Sequence, residues 1–351
     1  METEKVITFI ENSFLSPLIK IETITDITYN GENVFYLDNK TGRQKSDIKV
    51  THYMIKDFLR QIANLCEKQF SYQNPLLDVS AGKYRINAVH QSIARKGTSE
   101  ALTFAMRIAS NKLMIQPNST FLSEENTELF DIFLKSHCSI VIGGETGSGK
   151  TELQKYLVSR MEVATRIIVI DNVLELDYQN LYTELDINTW QIDDKQQDIK
   201  IQELVRNALR NNPDWIIVAE SRGAEMLEVL NSSMTGHPII TTIHSLDVES
   251  MVDRMTGMVM MNDKKISSEE VKKDIQYHFR VYIYLKRDID EQGQVTRYIN
   301  SISYLIKGNL MRIYESDSND KKYYKLDDSI IKDLKIKNPS KLFDYTFLNR
   351  G

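Results

Sequence analysis

Between residues 139 and 244, short unbroken apolar runs alternate with segments of helical spacing. The runs are SIVIGG (139–144), TRIIVID (165–171), WIIVAE (215–220) and PIITTIH (238–244). Segments 150–160, 200–210 and 224–234 repeat apolar residues at three- and four-residue intervals and read as helices. Continuous apolar strands are those buried on both faces, so this part predicts a mostly parallel sheet with helices on either side. The first hundred residues follow another rule. Stretches 23–39 and 76–90 alternate apolar and polar residues about Asn30-Gly31 and Ala81-Gly82, which predicts two hairpins. Between them, 53–70 sets Ile55, Phe58, Leu59, Ile62 and Leu65 on one side of a helix. Polar stretches at 92–100 and 116–120, the latter holding Pro117, break the pattern. The chain divides accordingly into an α+β N-terminal domain with its linker (1–115) and an α/β domain (116–351). Apolar alternation resumes at 279–287 and 296–315, read as a strand-rich extension of the second domain.

Charge and composition narrow the choice of function. A net charge of −5 argues against a general nucleic-acid-binding face. The two cysteines, Cys66 and Cys138, are far apart, so a CxxC zinc cluster is not expected and free thiols in a reducing cytoplasm are. The opening METEKVITFIENSF is acidic and does not read as a signal peptide. No run approaches the ~20 apolar residues of a membrane helix. The expected location is cytoplasmic, with any membrane association peripheral.

Four of the fourteen glycines fall within 143–149. Residues Gly144, Glu145, Thr146, Gly147, Ser148, Gly149, Lys150 and Thr151 spell G-x-x-x-x-G-K-[ST] between a predicted strand and a predicted helix. Glycines let such a loop turn its N–H groups around phosphate oxygens, and the helix adds its positive end. Lys150 is placed to reach the β- and γ-phosphates and Thr151 to hold Mg²⁺, which implies ATP and magnesium as ligands. In an open parallel sheet, ligands sit beyond the carboxyl ends of the strands. Asp171, Glu175, Glu220 and His244 follow such ends and are expected beside the phosphates.

These segments resemble the type II/type IV secretion ATPase superfamily, the hexameric motors of conjugation, protein secretion and pilus machines. The resemblance rests on GGETGSGKT (143–151), RIIVIDNVLEL (166–176, similar to the family's Asp box), RNALRNNPDWIIVAESRGAEMLEVL (206–230, similar to its Walker B region) and MTGHPIITTIHSLDVESMVDRM (234–255, similar to its His box). YIYLKRDIDEQGQVTRYINSISYL (282–305) resembles the branch serving conjugation and tight-adherence pili. Asp171-Asn172 replaces the family's Glu-Asp, Ala219 precedes Glu220 where glycine is usual, and Ser245 follows His244.

The resemblance implies a RecA-like P-loop NTPase domain behind a smaller N-terminal domain, assembled as a homohexamer. The implied partners are inner-membrane components of a secretion or pilus machine. It gives Glu175 the first claim on the attacking water, with Glu220 supporting the metal shell or the water. It makes His244 a γ-phosphate sensor and gives His237 a part in joining subunits. Arg107 matches the family's linker arginine, with Arg85 and Arg95 as further candidates. Arg206, Arg210 and Arg222 are interface or finger candidates. A DNA translocase, a small-molecule kinase and an ATP-binding scaffold ring are the rival readings.

Overall fold

The computed structural model describes residues 2–110, 112–116, 118–171, 178–191, 199–262, 265–317 and 320–337. It separates into two compact units. One comprises Met1–Asn111 with Ile289–Val295, and the other takes most of the chain from Lys112 onward.

In the first unit, α1 (Glu2–Glu11) and α2 (Ser16–Ile19) precede β1 (Ile24–Tyr29), β2 (Val34–Asp38) and β3 (Gly42–Lys45). Helix α3 (His52–Leu65) follows, then β4 (Leu76–Ala81), β5 (Tyr84–Val89), the short β6 (Arg95–Lys96) and β7 (Ser99–Glu100), and β8 (Thr103–Ile108). An antiparallel sheet runs β3-β2-β1-β8-β5-β4. Along β8, Phe104 and Met106 are buried while Ala105 and Arg107 face out, so one face is covered. Val6 and Ile10 of α1 and Ile55, Phe58, Leu59 and Ile62 of α3 cover it. The Thr51 hydroxyl caps α3 by accepting from Met54 N. The helix ends at Leu65, short of the expected residue 70. Glu67 turns left-handed at φ 53°, and Lys68 N and Glu67 N donate back to Ala63 O and Asn64 O. This is a Schellman closure formed without glycine.

In the second unit, α4 (Glu124–Lys135) leads to β9 (Ser139–Gly144), α5 (Lys150–Ser159), β10 (Arg166–Asp171), α6 (Tyr178–Leu181) and β11 (Asp186–Gln191). Next come α7 (Ile201–Ala208), β12 (Trp215–Val218), α8 (Met226–Met234), β13 (Ile239–Ile243), α9 (Met251–Val259) and α10 (Ser268–His278). The chain continues through β14 (Phe279–Ile289), β15 (Val295–Ile306), β16 (Asn309–Ser316), β17 (Lys321–Tyr323) and α11 (Asp328–Lys337). The strands form one sheet in the order β11-β10-β12-β13-β9-β14-β15-β16-β17. From β11 through β14 every neighbouring pair is parallel. The pleat assigns alternate residues to opposite cores. Ile140, Ile142, Ile167 and Val169 join Phe130, Phe133, Leu153 and Leu157 on one face. Val141, Ile168 and Ile170 join Val205, Met226, Val229 and Met255 on the other. The fold is therefore a mostly parallel α/β domain behind a smaller α+β one.

The run at 279–287, grouped in the sequence with an appended tail, is a parallel member of the main sheet. Strand β14 pairs with β9, setting Leu285 opposite Gly144. Ile283 of β14 is wholly buried, so Ile283→Ala should cost about 2–5 kcal/mol in urea unfolding. Lys322→Ala, on the exposed edge strand β17, should stay within ~0.5 kcal/mol. Equal small effects would mean that β14 is not part of the cooperative core.

Candidate nucleotide site

The phosphate loop joins a fully buried strand to a helix. Gly149 caps α5 in the left-handed conformation, φ 100°, and a Cβ there would lie 3.3 Å from Phe121 Cε2. At Gly144 a Cβ would meet Leu285 O at 2.6 Å and Ser148 Oγ at 2.7 Å. At Gly144 a side chain would displace backbone, and at Gly149 the left-handed conformation itself disfavours one. The loop is braced from within, since Ser148 Oγ donates to Glu145 O at 2.9 Å. Buried Gln154 ties α5 to the sheet by donating from Nε2 to Val218 O at 3.1 Å. The end of α5 that carries the free N–H groups is thus fixed over the strand ends.

Lys150 is buried, and its ammonium folds onto the loop. Its Nζ donates to Gly144 O (2.9 Å) and Glu145 O (2.8 Å), and lies 3.4 Å from His244 Nδ1. His244 Nε2 is 3.0 Å from Glu220 Oε1. That distance is an ion contact, but the alignment is not that of a hydrogen bond, and Oε1 is left without one. Glu220 Oε2 accepts from Arg222 Nη2 at 2.7 Å. Burial pushes the Glu220 carboxyl up, but the bond and charge of Arg222, with His244 and Lys150, outweigh it and hold the group below the usual range. Burial and the Lys150 charge push His244 down against the pull of Glu220. A neutral His244 ring accepts from Lys150 through Nδ1 and turns its Nε2 to Glu220. The result is a chain of four polar side chains, Lys150, His244, Glu220 and Arg222, across the carboxyl ends of β9, β12 and β13.

The other residues singled out in the sequence lie as follows. Thr146 and Gly147 are exposed at the loop tip, and Thr151 is half-buried in the first turn of α5. Asp171 ends β10 and is buried. Glu175 lies outside the described residues. His237 precedes β13 and Arg210 precedes β12, at strand ends opposite the loop, whereas Arg206 lies within α7 beside the first turn of α8. His237 Nδ1 is 3.0 Å from Thr235 Oγ1, and Arg206 pairs with Glu228 at 2.7 Å. In the first unit, Arg107 pairs with Asp26 at 3.3 Å, Arg85 pairs with Asp78 at 3.2 Å, and Arg95 Nη1 donates to Gln91 O at 2.6 Å.

Three residues beside the loop escaped the sequence reading. Phe121 backs Gly149, Arg297 Nε donates to Gly147 O at 2.7 Å, and Arg287 Nη1 is 3.0 Å from where a Gly147 Cβ would stand. The available signal was Arg287, placed just past an apolar run that is itself a parallel strand beside β9. The donors suit Mg²⁺. Thr151 and Glu220 offer hard oxygens, and Glu220 Oε1 is buried without a hydrogen bond. Among the described residues no group of three or more His, Cys, Asp or Glu forms a metal cage.

A family model for type II/IV secretion system proteins matches residues 86–276. An uncharacterized protein of Bacillus anthracis is 29% identical over 311 residues, covering 85% of this chain and 69% of the relative. The type IV secretion system protein VirB11 of Brucella suis is 35% identical over 127 residues, 35% of each chain. Among solved structures, the Legionella pneumophila ATPase DotB superposes with a TM-score of 0.58 at 18% identity, over 84% of this chain and 80% of that one. This last likeness is one of fold.

His244 gives the site a pH signature. Its folded pKa lies below 6.5, so the unfolded chain takes up a proton that the folded ring refuses. Its contribution to stability is intact above pH 6.5 and lost as pH falls through that value toward the folded pKa. Thermal melts from about pH 7 to about pH 5.5, where an ordinary histidine titrates, should fall more steeply for the wild type than for His244→Gln. His90 and His278, also held low, contribute equally to both proteins. Parallel curves would remove His244 from this balance.

Proposed function

The chain belongs to the type II/IV secretion system protein family, and from that membership we propose that it is a Mg-dependent ATPase. In this reading it works as a homohexameric ring motor for a type IV secretion, conjugation or pilus-type machine, at the cytoplasmic face of the membrane. The observation that carries the proposal is the convergence of Lys150, His244 and Glu220 at the carboxyl ends of three parallel strands. Among the described residues no helix is long and apolar enough to cross a membrane; in this reading the membrane components of the machine are its partners.

Hydrolysis of a γ-phosphate is mainly positioning and charge neutralisation. The loop N–H groups and the start of α5 hold the phosphates. Lys150 exchanges the neutral carbonyls of Gly144 and Glu145 for phosphate oxygens, which add the attraction of a full opposite charge. Thr151 and Glu220 would hold magnesium together with the nucleotide, and the ion would supply further neutralisation of phosphate charge. Glu175 polarises the attacking water, and Glu220, already ionised, steadies it or the metal's water shell. His244 stands between Lys150 and Glu220 and registers the γ-phosphate by trading its contact with Lys150. Arg107 and Arg222 offer charge to nucleotide, Arg107 from a neighbouring subunit. His237, Arg206 and Arg210 serve subunit contacts.

The test is phosphate release from ATP, with solution mass measured by light scattering in a non-hydrolysable analogue. Lys150→Ala should fall to background while remaining folded. Glu175→Gln should bind ATP yet turn over at least ~100-fold more slowly, the scale of general-base assistance. The same loss in Glu220→Gln alone would reverse the two roles. Binding without hydrolysis in the wild type would make the protein a scaffold ring. A monomer hydrolysing at full rate would rule out the ring motor.

A further inference from the structure

Two arginines beside the phosphate loop have no part in the roles above. Arg287 leaves the carboxyl end of β14, two positions past the Leu285 that pairs with Gly144. Its guanidinium lies on the loop, with Nη1 3.0 Å and Cζ 3.9 Å from the place of a Gly147 Cβ. The buried Nε has no hydrogen-bond partner. Among the described residues Arg287 makes no ion pair either. The adjacent carboxylate, Asp288, is bound to the Tyr298 hydroxyl. Arg297 stands on β15 and grips the same loop through Gly147 O. Burial, and then the charge of Arg287, hold Arg297 below the ordinary arginine value. The protein therefore keeps two like charges close together, partly out of water, at the rim of an anion-binding loop.

Arg287 and Arg297 repel each other, and an anion beside Arg287 offsets that repulsion. A guanidinium presents a planar fork of donors that matches phosphate oxygens. Arg297 already spends Nε on the backbone of the loop, whereas Arg287 has its donors available. We propose that Arg287 is a phosphate ligand of the bound nucleotide, donating from its guanidinium beside Gly147, and that Arg297 holds the loop against it. The inference rests on the nucleotide-site reading above and assigns a contact from a strand outside the loop, the Asp box, Walker B and His box.

The experiment is ADP binding by calorimetry, with thermal melting of the nucleotide-free protein, for wild type, Arg287→Lys and Arg287→Gln. A hydrogen bond to a charged group is worth enough that Arg287→Gln should weaken ADP about 10- to 100-fold. Arg287→Lys keeps the charge and loses the fork, so it should fall between. Nucleotide-free Arg287→Gln should melt at or above the wild-type temperature, because it loses no hydrogen bond and sheds a repulsion. Unchanged ADP affinity in Arg287→Gln overturns the proposal. So does a lowered melting temperature without nucleotide, which marks a bracing role. A wild-type protein that binds no ADP overturns the nucleotide site itself, a result separate from either of these.

Discussion

Strand β9 is buried on both faces and hydrogen-bonded in parallel on both edges, to β13 and β14. Parallel pairing is what brings the working residues together. Ile243 stands opposite Gly143 and Leu285 opposite Gly144, so β9 and β13 finish at one level, β14 runs past it, and the residues beyond that level meet. An antiparallel partner would have sent its next residue to the far edge of the sheet. A slip of one residue would exchange the two cores, since Val141 faces one helical layer while Ile140 and Ile142 face the other. Register here is enforced by packing, and the site inherits its geometry from the register.

At that level the charges are ordered. Arg222, Glu220, His244 and Lys150 read cation, anion, neutral ring, cation. His244 keeps the lysine and the glutamate from collapsing into a direct pair, which a strongly bound ligand would then have to break. The Lys150 ammonium rests on carbonyl oxygens, acceptors that a phosphate outbids. On the β14 side, by contrast, two like charges, Arg287 and Arg297, stand beside the same loop.

Much of this was legible in the sequence because its causes are local. The apolar runs ending at Gly144, Asp171 and His244 announced buried parallel strands, and the glycine-spaced loop announced the turn from β9 into α5. The hairpins at Asn30-Gly31 and Ala81-Gly82 were equally readable. The end of α3 was not, because its left-handed residue is Glu67 rather than a glycine. Helix α4 and strand β11 also passed unread, since their apolar residues find partners only in the folded sheet. Arg287 was missed for a third reason. Its strand looks like any strand in a β-rich tail until its pairing with β9 is known, and pairing is not a property of the strand's own residues.

The strip Ile289–Val295 belongs to the first unit, although the bodies of β14 and β15 on either side of it lie in the second. Its Val295 N donates to Lys40 O at 3.0 Å, and a Cβ at Gly42 would lie a tight 3.2 Å from Gly293 O. The two units are thus not successive beads on the chain. A chimera spliced at the end of residue 111 would carry a foreign turn against residues 40–42, and recombination between relatives at that junction starts with a mismatch. Inheritance acts on the molecule as one cassette whose N-terminal part must be copied together with a short insert from its far half.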